Sequence, residues 1–195
     1  GGGIPEGSLT LIEGQSDSGK SVATQQLVWG ALQSGFHVVM YTTENTSASL
    51  LRQMASLSLD VSDFFLLGQL NIFPIPQNMD ESTGQAAFTI LERHIATRPR
   101  ADIVFVDSLT PFVTYAGEQA TLGFFSRAKK FCDAQKTLIF TLHSYAFSEP
   151  MFIRIRSICD AMRLVCSRVE PGAVSTETMN SPLSEALMNS EPTRP

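Results

Sequence analysis

Short apolar, β-branched runs alternate along this chain with segments whose apolar residues recur every three or four positions. Runs of the first kind predict buried strands, and segments of the second kind predict amphipathic helices. Because parallel strands need long crossovers between them, the alternation predicts an α/β fold with a mostly parallel central β-sheet flanked by helices. The predicted strands cover residues 8–13, 38–42, 70–73, 103–107 and 137–143, and the predicted helices cover residues 20–34 and 47–58 and lie around residues 87–95 and 122–132.

The character of the sequence changes after residue 169. Residues 171–195 are rich in Ser, Thr, Glu, Asn and Pro and carry only scattered apolar side chains. Such a composition is typical of tails and linkers rather than of a packed core. We therefore expect one domain over residues 1–169, followed by a polar tail or an incomplete segment over residues 170–195.

The composition is that of a globular protein and argues against a dedicated nucleic-acid binder. Apolar residues make up 43% of the chain and charged residues 17%, and 14 basic against 19 acidic residues give a net charge of −5. The cysteines Cys132, Cys159 and Cys166 lack CxxC spacing, so neither a disulfide framework nor a zinc site is indicated. No apolar run approaches the ~20 residues that span a bilayer, and no secretory signal pattern opens the chain. We expect a cytoplasmic protein.

The first candidate for chemistry lies between the first predicted strand and the first predicted helix. Residues 14–21 match the pattern G-x-x-x-x-G-K-[ST], whose glycines let successive backbone N–H groups surround a phosphate at a helix N-terminus. Lys20 would supply a positive charge for the β- and γ-phosphates, and the Ser21 hydroxyl would bind Mg²⁺. The alternative is a chance loop of small residues before a helix. The predicted phosphate-binding residues are Gly14, Gln15, Ser16, Asp17, Ser18, Gly19, Lys20 and Ser21.

Asp107 ends the apolar run over residues 103–107, at the position where a second group on the metal side is expected. Such an aspartate would hold the nucleotide's Mg²⁺ through water, so the predicted metal-site residues are Ser21 and Asp107. The alternative is that Asp107 caps the following turn, together with Ser108 and Thr110.

Two further strand ends carry candidate catalytic groups. Because Ser108, and not a glutamate, follows Asp107, the base that activates water must come from elsewhere, and Glu44 is the candidate. The alternative for Glu44 is a favourable interaction with the dipole of the next helix. His143 ends the last predicted strand, where it would bond a γ-phosphate and report hydrolysis, or would be a plain strand-end histidine. Lys20, Glu44 and His143 are thus the predicted catalytic residues.

Arg154 and Arg156 alternate with apolar residues just beyond the last predicted strand. One interpretation is an arginine finger that reaches a phosphate across a subunit boundary. The other, which we favour, is a solvated face with two positive charges. The phenylalanine pairs at residues 64–65 and 124–125 are predicted to belong to the core.

With these residues in place, the chain resembles the RecA/KaiC-like P-loop ATPases, and among them the FlaH family of the archaeal flagellum, or archaellum. The resemblance covers about residues 1–169. It is carried by residues 1–8 (GGGIPEGS), 41–46 (YTTENT), 56–63 (SLSLDVSD), 106–110 (VDSLT), 141–147 (TLHSYAF) and 153–161 (IRIRSICDA).

The resemblance implies a RecA-like fold that binds ATP and Mg²⁺, and it assigns the catalytic glutamate to Glu44. KaiC-like domains often show two adjacent glutamates there, whereas this sequence has Glu44-Asn45, so slow or absent hydrolysis is expected. It further implies a hexameric ring at the cytoplasmic face of the archaellum base, which docks to the motor ATPase FlaI and meets the membrane only indirectly.

A rival hypothesis is an active RecA/KaiC-type ATPase, either a DNA-dependent motor or an autokinase. The net charge and the absence of a loop that combines basic with aromatic residues speak against DNA. An autokinase would need hydroxyl residues at a subunit boundary, and Ser175, Thr176 and Thr178 lie in a segment that the pattern does not assign.

Overall fold

The computed structural model describes residues 4–76 and 81–161, with the backbone alone for residues 81–83 and 85. Strands and helices alternate along this part of the chain. In chain order they are β1 (Leu9–Gly14), α1 (Lys20–Gln33), β2 (Val38–Thr42), α2 (Ser47–Ser56), α3 (Ser62–Leu66), β3 (Leu70–Pro74), α4 (Glu81–Ala96), β4 (Ile103–Asp107), α5 (Thr110–Asp133), β5 (Thr137–His143) and α6 (Glu149–Arg156).

The strands form one parallel sheet in the order β1-β5-β4-β2-β3. Since all of them run in the same direction, their carboxyl ends meet at one edge of the sheet. The register places Gly14 opposite His143 and Thr42 opposite Asp107. This edge is where ligands bind in open α/β sheets, and it collects the polar residues that end the predicted strands.

Helices cover both faces of the sheet and bury a hydrophobic cluster on each. On one face, α4, α5 and α6 enclose a cluster in which the Phe124 ring lies 4.4 Å from that of Phe88 and 5.5 Å from that of Phe140. On the other face, α1 and α2 pack Val28 and Met54 against the sheet. The result is a three-layer α/β/α domain, which confirms the predicted fold class. None of the helices in the described ranges is long and apolar enough to cross a membrane.

All five strands predicted from the sequence are present, but two short helices were not predicted. Helix α3 has only 5 residues, too few for a periodic pattern to be read. Helix α6 was not predicted because the sequence Ile-Arg-Ile-Arg alternates apolar and charged residues, which is the pattern of a half-exposed strand. It begins with Pro150 in its first turn, and it buries Met151, Phe152 and Ile155, which recur at helical spacing.

Helix α5 is longer than predicted, because it begins directly after β4 instead of near residue 122. It consists of two helical stretches joined at Gly117, whose φ of 76° and ψ of 170° are not helical. A positive φ of this kind is readily adopted only by glycine. Gly117 therefore lets the chain turn between the two stretches while both stay against the core.

The two phenylalanine pairs differ in their surroundings. Phe124 and Phe125 are fully buried, as predicted. Phe64 packs against the α1/α2 cluster, but Phe65 is 38% exposed, so the prediction of a core position is wrong for this residue. The cause is the unpredicted helix α3, which turns Phe65 away from the sheet.

Among the described cysteines, Cys132 is buried and Cys159 is half-buried, and both are free thiols. Burial raises the pKa of Cys132 to about 11 and that of Cys159 to about 12, so neither thiol is reactive near neutral pH. Cys166, the glycines of residues 1–3 and the predicted polar tail over residues 170–195 lie outside the described residues. The domain boundary at residue 169 stays a prediction.

The close crossing of α4 and α5 generates a stability prediction. A Cβ added at Gly84 would lie 2.6 Å from the backbone carbon of Tyr115. We expect Gly84→Val to lower the free energy of unfolding by about 1–3 kcal/mol, because the two helices must move apart. Denaturant unfolding followed by circular dichroism measures the change.

Gly30 in α1 provides the matched control, since a Cβ there meets no atom within 4 Å. Gly30→Ala should raise the free energy of unfolding by about 0.5–1 kcal/mol through helix propensity. Equal stability of Gly84→Val and wild type would contradict the described packing of α4 on α5.

Candidate nucleotide-binding site

The loop between β1 and α1 is shaped by the two glycines of its motif. Gly19 is the N-cap of α1 and has a φ of 92°, in the region that favours glycine. A Cβ at Gly14 would lie 2.6 Å from Ser18 Oγ, so a larger residue would displace the Ser18 hydroxyl. Backbone geometry thus favours glycine at Gly19, and the packing of the Ser18 side chain favours it at Gly14.

Lys20 lies inside this loop, although it is a lysine in the first turn of a helix. Its side chain is only 6% exposed, and Nζ donates hydrogen bonds to Gly14 O at 3.1 Å and Gln15 O at 2.5 Å. The Ser18 hydroxyl is buried in the same loop and has no hydrogen-bond partner among the described residues. A buried ammonium group, an unpaired hydroxyl and the N-terminus of α1 together suit a phosphate.

Asp107 is buried at the end of β4, with 3% of its surface exposed. Its Oδ1 accepts a hydrogen bond from Thr141 Oγ1 on the neighbouring strand β5, at 2.7 Å. The turn after Asp107 is held instead by Ser108, whose Oγ accepts from Thr110 N at 3.3 Å. Asp107 therefore does not make the capping contact that was its alternative interpretation.

The residues predicted to hold Mg²⁺ are chemically suited to it. The Ser21 hydroxyl, in the first turn of α1, and the Asp107 carboxylate offer the hard oxygen ligands that this ion prefers. Ser21 lies in the first turn of the helix that follows the loop after β1, and Asp107 ends β4, so both residues lie towards the carboxyl edge of the sheet. In the described ranges, no group of three His, Cys, Asp or Glu side chains could hold a metal ion, so phosphates and water would have to supply the remaining ligands.

Glu44 follows β2 and is exposed at the same edge. Its pKa is raised, first by partial desolvation and then by the negative charges of Asp107 and Asp17, while Lys20 opposes the shift. The carboxyl group therefore lies within electrostatic range of both the P-loop and β4. A raised pKa is what a general base that works near neutral pH requires.

The alternative for Glu44, an interaction with the dipole of α2, finds no support in the geometry of that helix. Thr46 is the N-cap, and its Oγ1 accepts a hydrogen bond from Ser49 N at 3.1 Å. No acidic residue lies in the first turn of α2. Glu44 lies two residues before the cap, where the dipole effect has largely faded.

His143 is fixed by Thr110, the first residue of α5. The His143 N–H donates to Thr110 Oγ1 at 3.0 Å, and the same hydroxyl lies 2.9 Å from His143 Nδ1. A threonine hydroxyl can donate one hydrogen bond and accept two, so it suits either tautomer of the ring, and the contact fixes where the imidazole lies. Burial and, after it, the positive charge of Lys20 lower the pKa of His143, which favours the neutral ring near pH 7.

The sequence analysis missed the residues that hold these groups in place. Thr43 joins β2 to the end of β4: its backbone N–H donates to Asp107 O at 2.9 Å, and its Oγ1 accepts from Ser108 N at 3.1 Å. Tyr145 stacks on the His143 ring with the centroids 5.0 Å apart. A polar residue near the end of a predicted inner strand, such as Thr141, is the signal that could have pointed to these contacts.

The two arginines near the end of the described chain have different environments. Arg154 is exposed on α6. Arg156 is half-buried and forms ion pairs with Glu13 at 2.9 Å and with Glu149 at 3.0 Å. The preferred interpretation, a solvated face with two charges, therefore describes Arg154 but not Arg156.

Known proteins are similar to this chain in both sequence and fold. The profile of the ATPase family KaiC matches residues 1–153. The archaeal flagellar ATP-binding protein FlaH of Sulfolobus acidocaldarius is 30% identical over 162 residues, which cover 82% of this chain and 71% of that protein. FlaH of Methanocaldococcus jannaschii is 29% identical over 163 residues, which cover 80% and 68% of the two chains.

The crystal structure of the flagellar accessory protein FlaH from Methanocaldococcus jannaschii superimposes with a TM-score of 0.72 at 28% identity, covering 85% of this chain and 73% of that one. The family profile covers most of the chain, and the FlaH proteins match a similar length of it. The chain therefore belongs to the KaiC family of ATPases, with a RecA-like fold, and within that family it is FlaH-like.

Proposed function

We propose that this chain binds ATP and Mg²⁺ on the loop over residues 14–21 and acts as a nucleotide-switched scaffold of the archaellum motor. The observation that carries the proposal is the buried amine of Lys20, which lies among the loop carbonyls at the edge that also holds Asp107 and His143. FlaH relatives named as archaeal flagellar ATP-binding proteins support the choice of ATP and of the archaellum.

In this proposal one group of residues binds the phosphates and another binds the metal ion. The backbone N–H groups at the start of α1 and the ammonium group of Lys20 surround the phosphates. Ser21 and Asp107 hold the metal ion, with Thr141 fixing the Asp107 carboxylate. Mg²⁺, when bound, neutralises phosphate charge and orients the terminal phosphate.

Glu44 is proposed to orient and deprotonate the attacking water. Thr42 Oγ1 accepts hydrogen bonds from the backbone N–H groups of Glu44 and Asn45, at 3.4 and 3.2 Å, and so directs the chain away from β2. The Glu44 side chain is exposed, and Asn45 follows it where a second glutamate is common in KaiC-like domains. We therefore propose that turnover is slow and that ATP binding is the signal.

His143 is proposed to detect the γ-phosphate. In this proposal the Thr110 hydroxyl donates to Nδ1, the Nε2–H group donates to a phosphate oxygen, and the Thr110 contact passes the change to the start of α5. Only contacts that distinguish ATP from ADP can shift the populations of two states, and the γ-phosphate is the group that differs. The loops after Glu44, Asp107 and His143 then form an ordered face for a partner.

That partner is proposed to be the motor ATPase FlaI together with other components of the archaellum base. In this proposal the chain works as a homo-oligomer, a hexameric ring, at the cytoplasmic face of the base and touches the membrane only through its partners. Nucleic acid is not expected as a partner, because the net charge is −5.

The role of Lys20 is tested by Lys20→Ala. We expect the variant to lose measurable affinity for a fluorescent ATP analogue in an equilibrium titration, because it removes the charge that meets the phosphates. Lys130→Ala, which removes an exposed lysine of α5, is the control and should bind as wild type does. Retained affinity in Lys20→Ala would overturn the assignment of the phosphate site.

The role of Glu44 is tested by Glu44→Gln in single-turnover hydrolysis. Binding should be unchanged, and the residual rate should fall by about a hundredfold or more, as expected for the loss of a general base. Glu6→Gln, at another exposed glutamate, should have no effect.

The raised pKa of Glu44 also predicts a pH profile. A base works in its ionised form, so the wild-type rate should fall with decreasing pH, starting above the ordinary carboxyl value of 4.5. This acid limb should disappear in Glu44→Gln. An unchanged rate in that variant would remove Glu44 from the role of base.

The scaffold is tested by capture of purified FlaI on the immobilised protein with ATP, with ADP and without nucleotide. Capture that depends on ATP, together with slow turnover, is the expected result. Fast turnover with capture indifferent to nucleotide would favour the active RecA-type enzyme. DNA mobility shifts in a salt titration and intact mass after incubation with ATP would then separate a DNA motor from an autokinase.

A further inference from the structure

A buried carboxylate lies directly beside the phosphate loop. Glu13 is the residue before Gly14 at the end of β1, and only 1% of its surface is exposed. An anion at this position is unfavourable for a site that must accept a polyphosphate, since like charges repel strongly where water is excluded. A positive charge next to Glu13 would reduce this repulsion and so favour the binding of a polyphosphate.

Arg156 of α6 makes direct contact with this carboxylate. Its Nη2 donates to Glu13 Oε1 at 2.9 Å and its Nε to Glu13 Oε2 at 3.2 Å, in the two-point geometry that suits a guanidinium and a carboxylate. A third hydrogen bond runs from Nη1 to Glu149 Oε1 at 3.0 Å, and the guanidinium lies 5.2 Å from the centre of the Phe152 ring. These contacts hold the guanidinium within its own chain.

The contacts join the two ends of the described domain, because Glu13 and Arg156 are 143 positions apart. They connect α6 to the strand that begins the P-loop. Gly14, the next residue, accepts a hydrogen bond from Lys20 through its carbonyl oxygen. A charge change at Glu13 or Arg156 is therefore made at the strand that leads directly into the loop.

We propose that Arg156 is a positioning residue of the nucleotide site, which neutralises Glu13 within the same subunit and so sets the affinity of the P-loop for polyphosphate. Arg156 is in this respect distinct from an arginine finger, which must leave its own chain to reach a neighbour's phosphate. This inference rests on the proposed binding of ATP.

The test compares wild type with Glu13→Gln, Arg156→Gln and the double variant, with Arg154→Gln as the matched control on the exposed face of α6. Affinities for ATP, ADP and AMP are measured by calorimetry, and the unfolding of each variant is measured in parallel. We expect Arg156→Gln to bind ATP about tenfold more weakly, because a positive charge beside the Glu13 carboxylate is lost.

Glu13→Gln breaks the same ion pair and yet should bind ATP about threefold more tightly, since the positive charge of Arg156 remains. The double variant should bind ATP with an affinity within about threefold of that of wild type. Arg154→Gln should bind ATP as wild type does. Each effect should grow from AMP to ATP with the phosphate charge. A purely structural contact would instead weaken binding in both single variants or leave it unchanged.

The possible outcomes are distinct. A wild-type protein that does not bind ATP would overturn the proposed function and this inference with it. Wild-type binding with weaker binding in Glu13→Gln, or without recovery in the double variant, would overturn the inference alone. If Arg156→Gln does not fold, Glu13→Gln and the double variant still decide. The inference expects tighter ATP binding in Glu13→Gln and near wild-type binding in the double variant, whereas a purely structural contact predicts weaker or unchanged binding in Glu13→Gln.

Discussion

The parallel register of the strands is the constraint on which the site depends. It sets Asp107 opposite Thr42 and His143 opposite Gly14, so four segments distant in sequence end at one edge. A shift of one residue in either pairing would turn the side chains of that strand to the opposite face of the sheet. The length and register of each apolar strand therefore determine where the polar residue at its end lies.

Hydroxyl groups from neighbouring strands and helices then fix the groups at this edge. Thr141 holds Asp107, Thr43 joins β2 to β4, and Thr110 holds the His143 ring. Each of these threonines is buried, so their hydrogen bonds act where water does not compete. Asp107 and His143 are in this way held in place by hydrogen bonds within the domain.

The sequence predicted the parts of the site that local pattern determines. The motif over residues 14–21 is continuous in sequence, Asp107 and His143 end strands that their apolar runs make evident, and Glu44 comes just after such a strand. A hydroxyl residue near a strand end, such as Thr141, is visible in the sequence, but its partner is not, because the contact depends on which strands are neighbours and periodicity does not fix strand order.

Two other differences have local causes. Helix α3 is too short to show a period, and the alternating order at the end of α6 imitates a strand. The pairing of Arg156 with Glu13 joins residues from opposite ends of the described chain, which no local pattern connects. One measurement tests the switch most directly: amide hydrogen exchange of the wild-type protein without nucleotide, with ADP and with ATP. The switch predicts that amides in the loops after Glu44, Asp107 and His143 exchange more slowly with ATP than with ADP, whereas equal protection by both nucleotides would contradict it.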